Sequence, residues 1–389
     1  MSEPLSLTVT LETVTPLFLG GANPRAAPEL RPPSFRGVMR YWLRALVGAA
    51  GEQAMREQEN RLFGVVGDQA SAGAVSLRLS LPTHLPKQTY SRLSDKRMGT
   101  GYLWFAARGT RNEPERHAIM PTTFSLTLLT PRSKQPERDL EQIAAVLWLL
   151  TRLGGVGARS RRFAGGVQVA DVQSPHTPDG LIARLPIRAN SPKELADEIA
   201  QGIQTARRLF GLQKLATPAP SQFDVLHPDQ CQIFVLNHVF PSWEQAVEQI
   251  GQVYQKFRHL RQPDYKVVKQ AMISGQDLSG TVERAAFGLP IPFFYRSLSN
   301  RTSTLQAEKQ DGEKLDRRAS PLWMRAVKLS NGEYAVVFTW FKSQFLLAGA
   351  RFLLTEKKQP DLHGSQLLND QLISTFLLGN DDQNGSALK

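Results

Sequence analysis

The order in which hydrophobic periodicities follow one another over the first 172 residues restricts this chain more than any other feature. Residues 5–13 (LSLTVTLET) alternate, with Leu5, Leu7, Val9 and Leu11 on one face and Ser6, Thr8, Thr10 and Glu12 on the other. That two-residue period is the mark of a half-buried strand. A turn-rich stretch with five prolines from Pro16 to Pro33 comes next. Ser34 then reads as the cap of a helix running to about Ala49. Val38, Met39, Trp42, Leu43 and Leu46 share one face of it, and Arg36, Arg40 and Arg44 repeat every four residues on another. Residues 73–81 (GAVSLRLSL) and 121–129 (PTTFSLTLL) read as strands, 137–153 as a helix, and Val167–Val172 as a short strand. Strand, helix, strand, strand, helix, strand is the order of a ferredoxin-like, RRM-type α+β unit. A long polar connection rich in Arg, Gly and Pro, residues 82–119, interrupts it. A connection of that length is more often functional or mobile than idle.

The second half carries weaker signals. Ile182–Ile187 and residues 231–236 are expected as strands, and 242–260 as a helix. Residues 191–210 read as a helix capped by Ser191, with Pro192 in its first turn. Asn331-Gly332 between alternating segments predicts a type I′ hairpin. Residues 299–320 are expected as a flexible loop. The expected division is an N-terminal ferredoxin-like domain at 1–172, a second one with insertions at 173–378, and a frayed tail at 379–389.

Charge narrows the partners. The 389 residues carry a net charge of +12. Residues 1–170 hold 22 Lys+Arg against 13 Asp+Glu, and 19 of the 22 are arginine. Arginine offers a planar fork that matches phosphate oxygens and stacks on bases, so a polyanion partner is favoured over a basic surface serving solubility alone. The single cysteine, Cys231, leaves no disulfide framework or Cys-based zinc site within the chain. No apolar run reaches the ~20 residues of a membrane helix. The first residues show neither a basic nor an apolar leader region, so a cytoplasmic protein is expected.

The loop GGVGARSRRFAGG, residues 154–166, concentrates the charge. It holds five glycines and three arginines, and no acid occurs from Gln142 to Ala170. Gly155, Gly157, Gly165 and Gly166 let backbone N–H groups approach a phosphate, while Arg159, Arg161, Arg162 and Ser160 supply donors. The loop follows a helix and precedes a strand, the reverse of a Walker A or dinucleotide loop. It reads as an RNA-backbone contact or, alternatively, as a flexible hinge with solvated arginines. The Arg36, Arg40 and Arg44 stripe is open in the same way: a solvated helix face, or a contact surface raised by the lack of acids between Glu29 and Glu52. Gly20 and Gly21 mark a second turn where backbone could meet phosphate. Tyr90, Tyr102, Trp104 and Phe105 are candidates for base stacking or for packing of the 82–119 segment.

No pair of histidines has metal-ligand spacing, so neither a metal site nor a cofactor is expected. For metal-independent RNA cleavage, only His84, His117 and Asp95, around the long connection, offer a candidate acid or base.

Several of these segments also carry a resemblance. TPLFLGG at Thr15–Gly21, PELRPPSFRGVMRYWLRAL at 28–46, the 154–166 loop, FGLPI at 287–291 and RRASPLWMRAV at 317–327 together resemble the RAMP superfamily of type III-B CRISPR systems. The likeness is closest to the family of first-numbered RAMP subunits of the Cmr effector complex. In that family the loop is written G-x-G-x-R-S-R-R-G-x-G. Phe163-Ala164 departs from it, and a different backbone path is expected there. The resemblance implies two tandem ferredoxin-like domains and other Cmr subunits as partners. It further implies a place where the 3′ part of the guide RNA and the matching single-stranded target RNA lie, with slicing done by another subunit. Guide recognition would then run through backbone and shape, with base pairing supplying sequence. The alternatives are a RAMP endoribonuclease and an adaptor that binds mainly protein, for which Leu289–Tyr295 could be an interface patch.

Overall fold

The computed structural model describes residues 4–67, 70–173, 180–212, 222–260, 262–356, 359–364 and 371–379. The expected tail beyond Gly379 lies outside them. Two compact units are built from interleaved segments: 1–219, 225–252 and 323–339 in one, 220–224, 253–322 and 340–389 in the other.

In the first unit β1 (Ser6–Thr13), β2 (Ser76–Ser80), β3 (Thr123–Leu129) and β4 (Val167–Gln173) form one antiparallel sheet in the order β2-β3-β1-β4. Two helices, α1 (Pro32–Val47) and α4 (Pro136–Leu153), fall between strands as the periodicity predicts. The alternation in β1 places Leu7, Val9 and Leu11 in the core, while Thr8 meets Thr127 across the ladder at 2.9 Å. Helix α1 starts earlier than expected. Its N-cap is Arg31, and Pro32 and Pro33 occupy the first turn. Proline's fixed φ and missing N–H suit that turn, so Ser34 is already inside the helix and caps nothing. A helix without a clear apolar period, α2 (Glu52–Phe63), lies between Gly51 and Gly64 and buries Met55, Glu59, Leu62 and Phe63.

The 82–119 connection is ordered. It contains a Lys87–Thr89/His117–Ile119 ladder, a turn of helix at Tyr90–Leu93 and α3 (Met98–Leu103). Helix α5 (Pro192–Leu209) is capped by Ser191, which accepts the Glu194 N–H as predicted. The expected Ile182–Ile187 strand is instead a 3-10 turn at Ile182–Arg184. It turns there because the Arg184, Leu185 and Pro186 carbonyls all converge on the buried Arg152 guanidinium.

A second sheet has the order β8-β9-β5, from β5 (Cys231–Val235), β8 (Leu322–Lys328) and β9 (Tyr334–Phe341). Between β5 and β8 the chain forms α6 (Trp243–His259) and α7 (Gln262–Ser274). The hairpin after β8 is not type I′. Only Gly332 is left-handed, at φ 89°, and Leu329 N–H donates to the Glu333 carbonyl at 2.7 Å. That is a wider loop ending in a glycine bulge.

In the second unit β6 (Ile291–Tyr295), β7 (Arg301–Glu308), β10 (Arg351–Thr355) and β11 (Leu362–Gly364) run in that order, with Lys314–Leu315 against β7. The flexible loop expected at 299–320 is therefore strand over Arg301–Glu308 and Lys314–Leu315, with turns between and after them. Thr302 and Thr304 alternate with the buried Ser303 and Leu305, a period hidden by the polar composition. Ile291, Phe293 and Tyr295 join the core with Val268 and Phe352, so most of the apolar 289–295 segment is interior and Phe294 alone of its rings is exposed.

Candidate nucleic-acid interface

The 154–166 loop is a tightly closed structure, not a hinge. Val156 N–H donates to the Gly165 carbonyl, Gly165 N–H to Pro16, Ala158 N–H to Phe18 and Phe163 N–H to Met324, all at 2.8–2.9 Å. Thr15 Oγ1 donates to the Phe163 carbonyl at 2.5 Å and accepts the Gly166 N–H at 2.8 Å. The TPLFLGG segment is thus the loop's other wall. Gly165 has φ 74°, and a Cβ there would strike the Val156 carbonyl. A Cβ on Gly155 or Gly157 would also crowd a carbonyl, that of Ala164 at 2.9 Å or of Phe18 at 2.7 Å. These glycines serve the loop's own closure, and only the apex, Gly157–Arg161, stays half-exposed.

Phe163 is left-handed at φ 68° with its ring fully buried. Phe163 thus takes a left-handed conformation that favours glycine. The bond to Met324 and burial of the ring offset a strain of about 1–2 kcal/mol.

Each arginine of the loop has a different task. Arg159, itself left-handed at φ 62°, donates Nε to the Leu103 carbonyl at 2.7 Å. Arg161 lies over the Trp323 ring at 4.7 Å and the Tyr41 ring at 5.5 Å, a stacked guanidinium whose plane is oriented by two aromatics. Arg162 is buried. Its carbonyl accepts the Trp104 indole N–H at 2.8 Å, and its Nη1 donates to the Arg161 carbonyl. Ser160 opens a 3-10 turn between Arg159 and Phe163.

Tyr41 belongs to α1, so the loop and that helix meet at the Arg161 guanidinium. The stripe on α1 is more occupied than its sequence suggests. Arg40 and Arg44 both bind the Glu59 carboxylate of α2, at 2.5 and 2.6 Å, and Arg36 donates to the Phe63 carbonyl. Glu59 is the compensating acid missing from the local sequence. Burial pushes its carboxyl up, but hydrogen bonds from Arg44 and Arg40 outweigh this and hold it below the ordinary carboxylate range. At the second turn, Gly21 faces the Glu29 carboxylate and Gly20 packs on Pro24, its carbonyl 3.4 Å from Arg31 Nη2. An acid beside Gly21 opposes approach of a phosphate to that turn.

In the sequence Arg325 looks like an outward residue of an alternating strand. It is buried in β8 and donates to the Gly154 and Val167 carbonyls, the two ends of the loop. Burial, and then the charge of Arg152, push its pKa down to about 9, so it remains a cation at neutral pH and clamps the loop by charge-assisted bonds. No sequence signal marks it, because its acceptors are carbonyls about 160 residues away.

Of the stacking candidates, Tyr102 is half-buried. Trp104 and Tyr90 are buried, Trp104 stacking on Trp243 at 6.3 Å, whereas Phe105 is 58% exposed. His84 and His117 are both exposed, and neither side chain has a hydrogen-bond partner among the described residues. Among the described residues no group of three or more His, Cys, Asp or Glu could hold a metal ion, and no helix is long and apolar enough to cross a membrane.

The model of the RAMP superfamily matches residues 10–168, from within β1 to the start of β4, including the loop. Two curated relatives come from Pyrococcus furiosus. CRISPR system Cmr subunit Cmr1-1 is 26% identical over 86% of this chain and 87% of its own length. CRISPR system Cmr subunit Cmr1-2 is 31% identical over 41% of this chain and 92% of its own length. Among solved structures, apo Cmr1 from P. furiosus aligns with a TM-score of 0.59 at 22% identity, covering 96% of this chain and 97% of that one. A chain of the type III-B Cmr-beta complex bound to cognate target RNA aligns with a TM-score of 0.53 at 11% identity, covering 89% and 97%. The chain belongs to the RAMP superfamily, in the family of the CRISPR Cmr1 subunits.

Proposed function

We propose that this protein is a non-catalytic RNA-binding subunit of a type III-B CRISPR (Cmr) effector complex in the cytoplasm. It would contact the 3′ part of the guide RNA, the matching target RNA, or both, in antiviral defence. The observation that carries the reading is the apex Gly157–Arg161. It is half-exposed, and its Arg159 and Arg161 guanidiniums are oriented by a carbonyl and two rings. Such pre-ordered arginines suit phosphate contacts without a conformational cost on binding. The relatives are Cmr subunits by name, and a structural neighbour belongs to a complex that holds cognate target RNA. The apex offers guanidiniums and a hydroxyl but no group to take up a proton, which suits binding rather than cleavage.

The same reading takes residues 1–172 and 173–378 as two ferredoxin-like domains. The order β8-β9-β5 is that of three of the four strands of such a unit, as β2-β3-β1 is in the first sheet.

The test is a titration of labelled single-stranded RNA over a range of salt. Arg159→Gln with Arg161→Gln is expected to weaken binding and to flatten the log K against log salt slope by about 1.4, the share of two phosphate contacts. An unchanged slope would remove the loop from the RNA. Guide precursor and target RNA incubated with the protein, with and without Mg²⁺, are expected to stay intact. Specific cleavage lost on replacing His84, His117 or Asp95 would favour the nuclease reading instead.

A further inference from the structure

Phe105 stands out among the rings of the first unit. The segment that carries it is held before the ring by the contacts below and after it by the Arg116 N–H bond to the Ala107 carbonyl at 2.9 Å. Two residues before it, the Leu103 carbonyl is gripped by Arg159 at 2.7 Å. One residue before it, the Trp104 indole N–H is bound to the Arg162 carbonyl at 2.8 Å. Behind it, the first turn of α3 is capped by a carboxylate from α6. Glu248 accepts the Gly99 and Thr100 N–H groups at 3.0 and 2.9 Å, and the Thr100 hydroxyl at 2.9 Å. Gly99 and Gly251 bring the two backbones so close that a Cβ on Gly99 would strike the Glu248 carbonyl. The backbone that presents the ring is therefore held in place. It remains 58% exposed, and Met98 at the other end of α3 is 70% exposed.

The surroundings define the occupant. Residues 82–119 carry seven basic and three acidic residues. Of the acids, Glu113 is paired with Arg25 at 2.8 Å and Glu115 binds Ser91, while Arg92, Lys96 and Arg108 are exposed. An apolar protein partner has no use for that cationic setting, whereas a nucleic-acid strand satisfies both parts, its phosphates facing the cations and a base facing the ring.

We propose that Phe105 is a base-stacking platform, so that an unpaired nucleobase of a strand whose backbone runs along the Arg159–Arg161 apex lies on the phenylalanine ring. The proposal rests on the RNA-binding reading above and adds a position where a base, rather than a phosphate, is held. Stacking tolerates any base and neutralises no phosphate, so it adds nothing to the salt slope, which separates it from the arginine contacts.

The experiment uses the full-length protein and single-stranded RNA carrying 2-aminopurine at successive positions. Phe105→Ala is expected to weaken binding about tenfold while leaving the salt slope unchanged. Phe105→Trp is expected to retain wild-type affinity, and 2-aminopurine quenching at one position is expected to vanish in Phe105→Ala alone. Because the ring is exposed, thermal melting of both variants should match the wild type. If the wild-type protein binds RNA and Phe105→Ala binds equally tightly, the platform is overturned and the RNA-binding reading stands. If the wild type does not bind RNA, both fall. If Phe105→Ala leaves RNA binding intact but prevents assembly with other Cmr subunits, the ring is a protein contact and the proposal is wrong.

Discussion

Gly37 lies on the exposed side of α1, next to Arg36 and three residues before Arg40, and a Cβ there would meet nothing within 4 Å. A glycine inside a helix costs about 1 kcal/mol relative to alanine, and nothing within the chain requires it. On the RNA-binding reading, the missing side chain leaves room for a backbone lying against α1. Gly37→Ala is expected to stabilise the protein by about 0.4–1 kcal/mol in chemical denaturation and to weaken RNA binding in the same preparation. A variant both more stable and equally tight would take α1 off the contacted surface. Other single residues were harder to read. The three loop arginines look equivalent in GARSRR, yet one grips a carbonyl, one stacks on two rings and one is buried. Their differences come from Leu103, Trp323 and Trp104, none of which is a local neighbour.

Helix α2 decides what the arginine stripe of α1 can do. Its Glu59 ties down Arg40 and Arg44, and that pairing depends on pH. Folding lowers the carboxyl's pKa, so the stabilisation is fully present above the unfolded value near 4.5 and is lost as pH falls through the folded one. The stability difference between the wild type and Glu59→Gln is therefore expected to be constant near neutral pH and to shrink on acidification below about 4.5. At pH 7 the substitution should cost about 1–3 kcal/mol, as loss of charge-assisted bonds does. It should also release Arg40 and Arg44, making RNA binding tighter and more salt-dependent. A stability gap that does not shrink at any acid pH at which the protein stays folded would mean that Glu59 acts through packing. The stripe was legible at a spacing of four, but its acid was not, because Glu59 lies 15 and 19 residues from its partners on a helix whose apolar positions are too few to announce it.

At the scale of the molecule, the loop's supports come from far along the chain. Met324, Arg325 and Trp323 hold it from β8, and Glu248 and Trp243 hold α3 from α6. A chain ended after residue 219 is therefore expected to lose stability by several kcal/mol, about the sum of the buried bonds removed. It should unfold at a lower temperature with reduced cooperativity and bind RNA weakly, even though it contains every loop residue. Full cooperativity in calorimetry would show that β8 is dispensable. The sequence alone determined what depends on near neighbours along the chain. That includes the strand and helix order of the first sheet, the Ser191 cap, the position of the glycine-rich loop and the density of arginine, since periodicity, capping and charge are local properties. Only the tertiary structure decided which of those arginines face outward, that the 82–119 and 299–320 segments are ordered, and that a buried cation from β8 closes the loop. Those outcomes rest on bonds between residues tens to hundreds of positions apart, whose geometry no local pattern encodes.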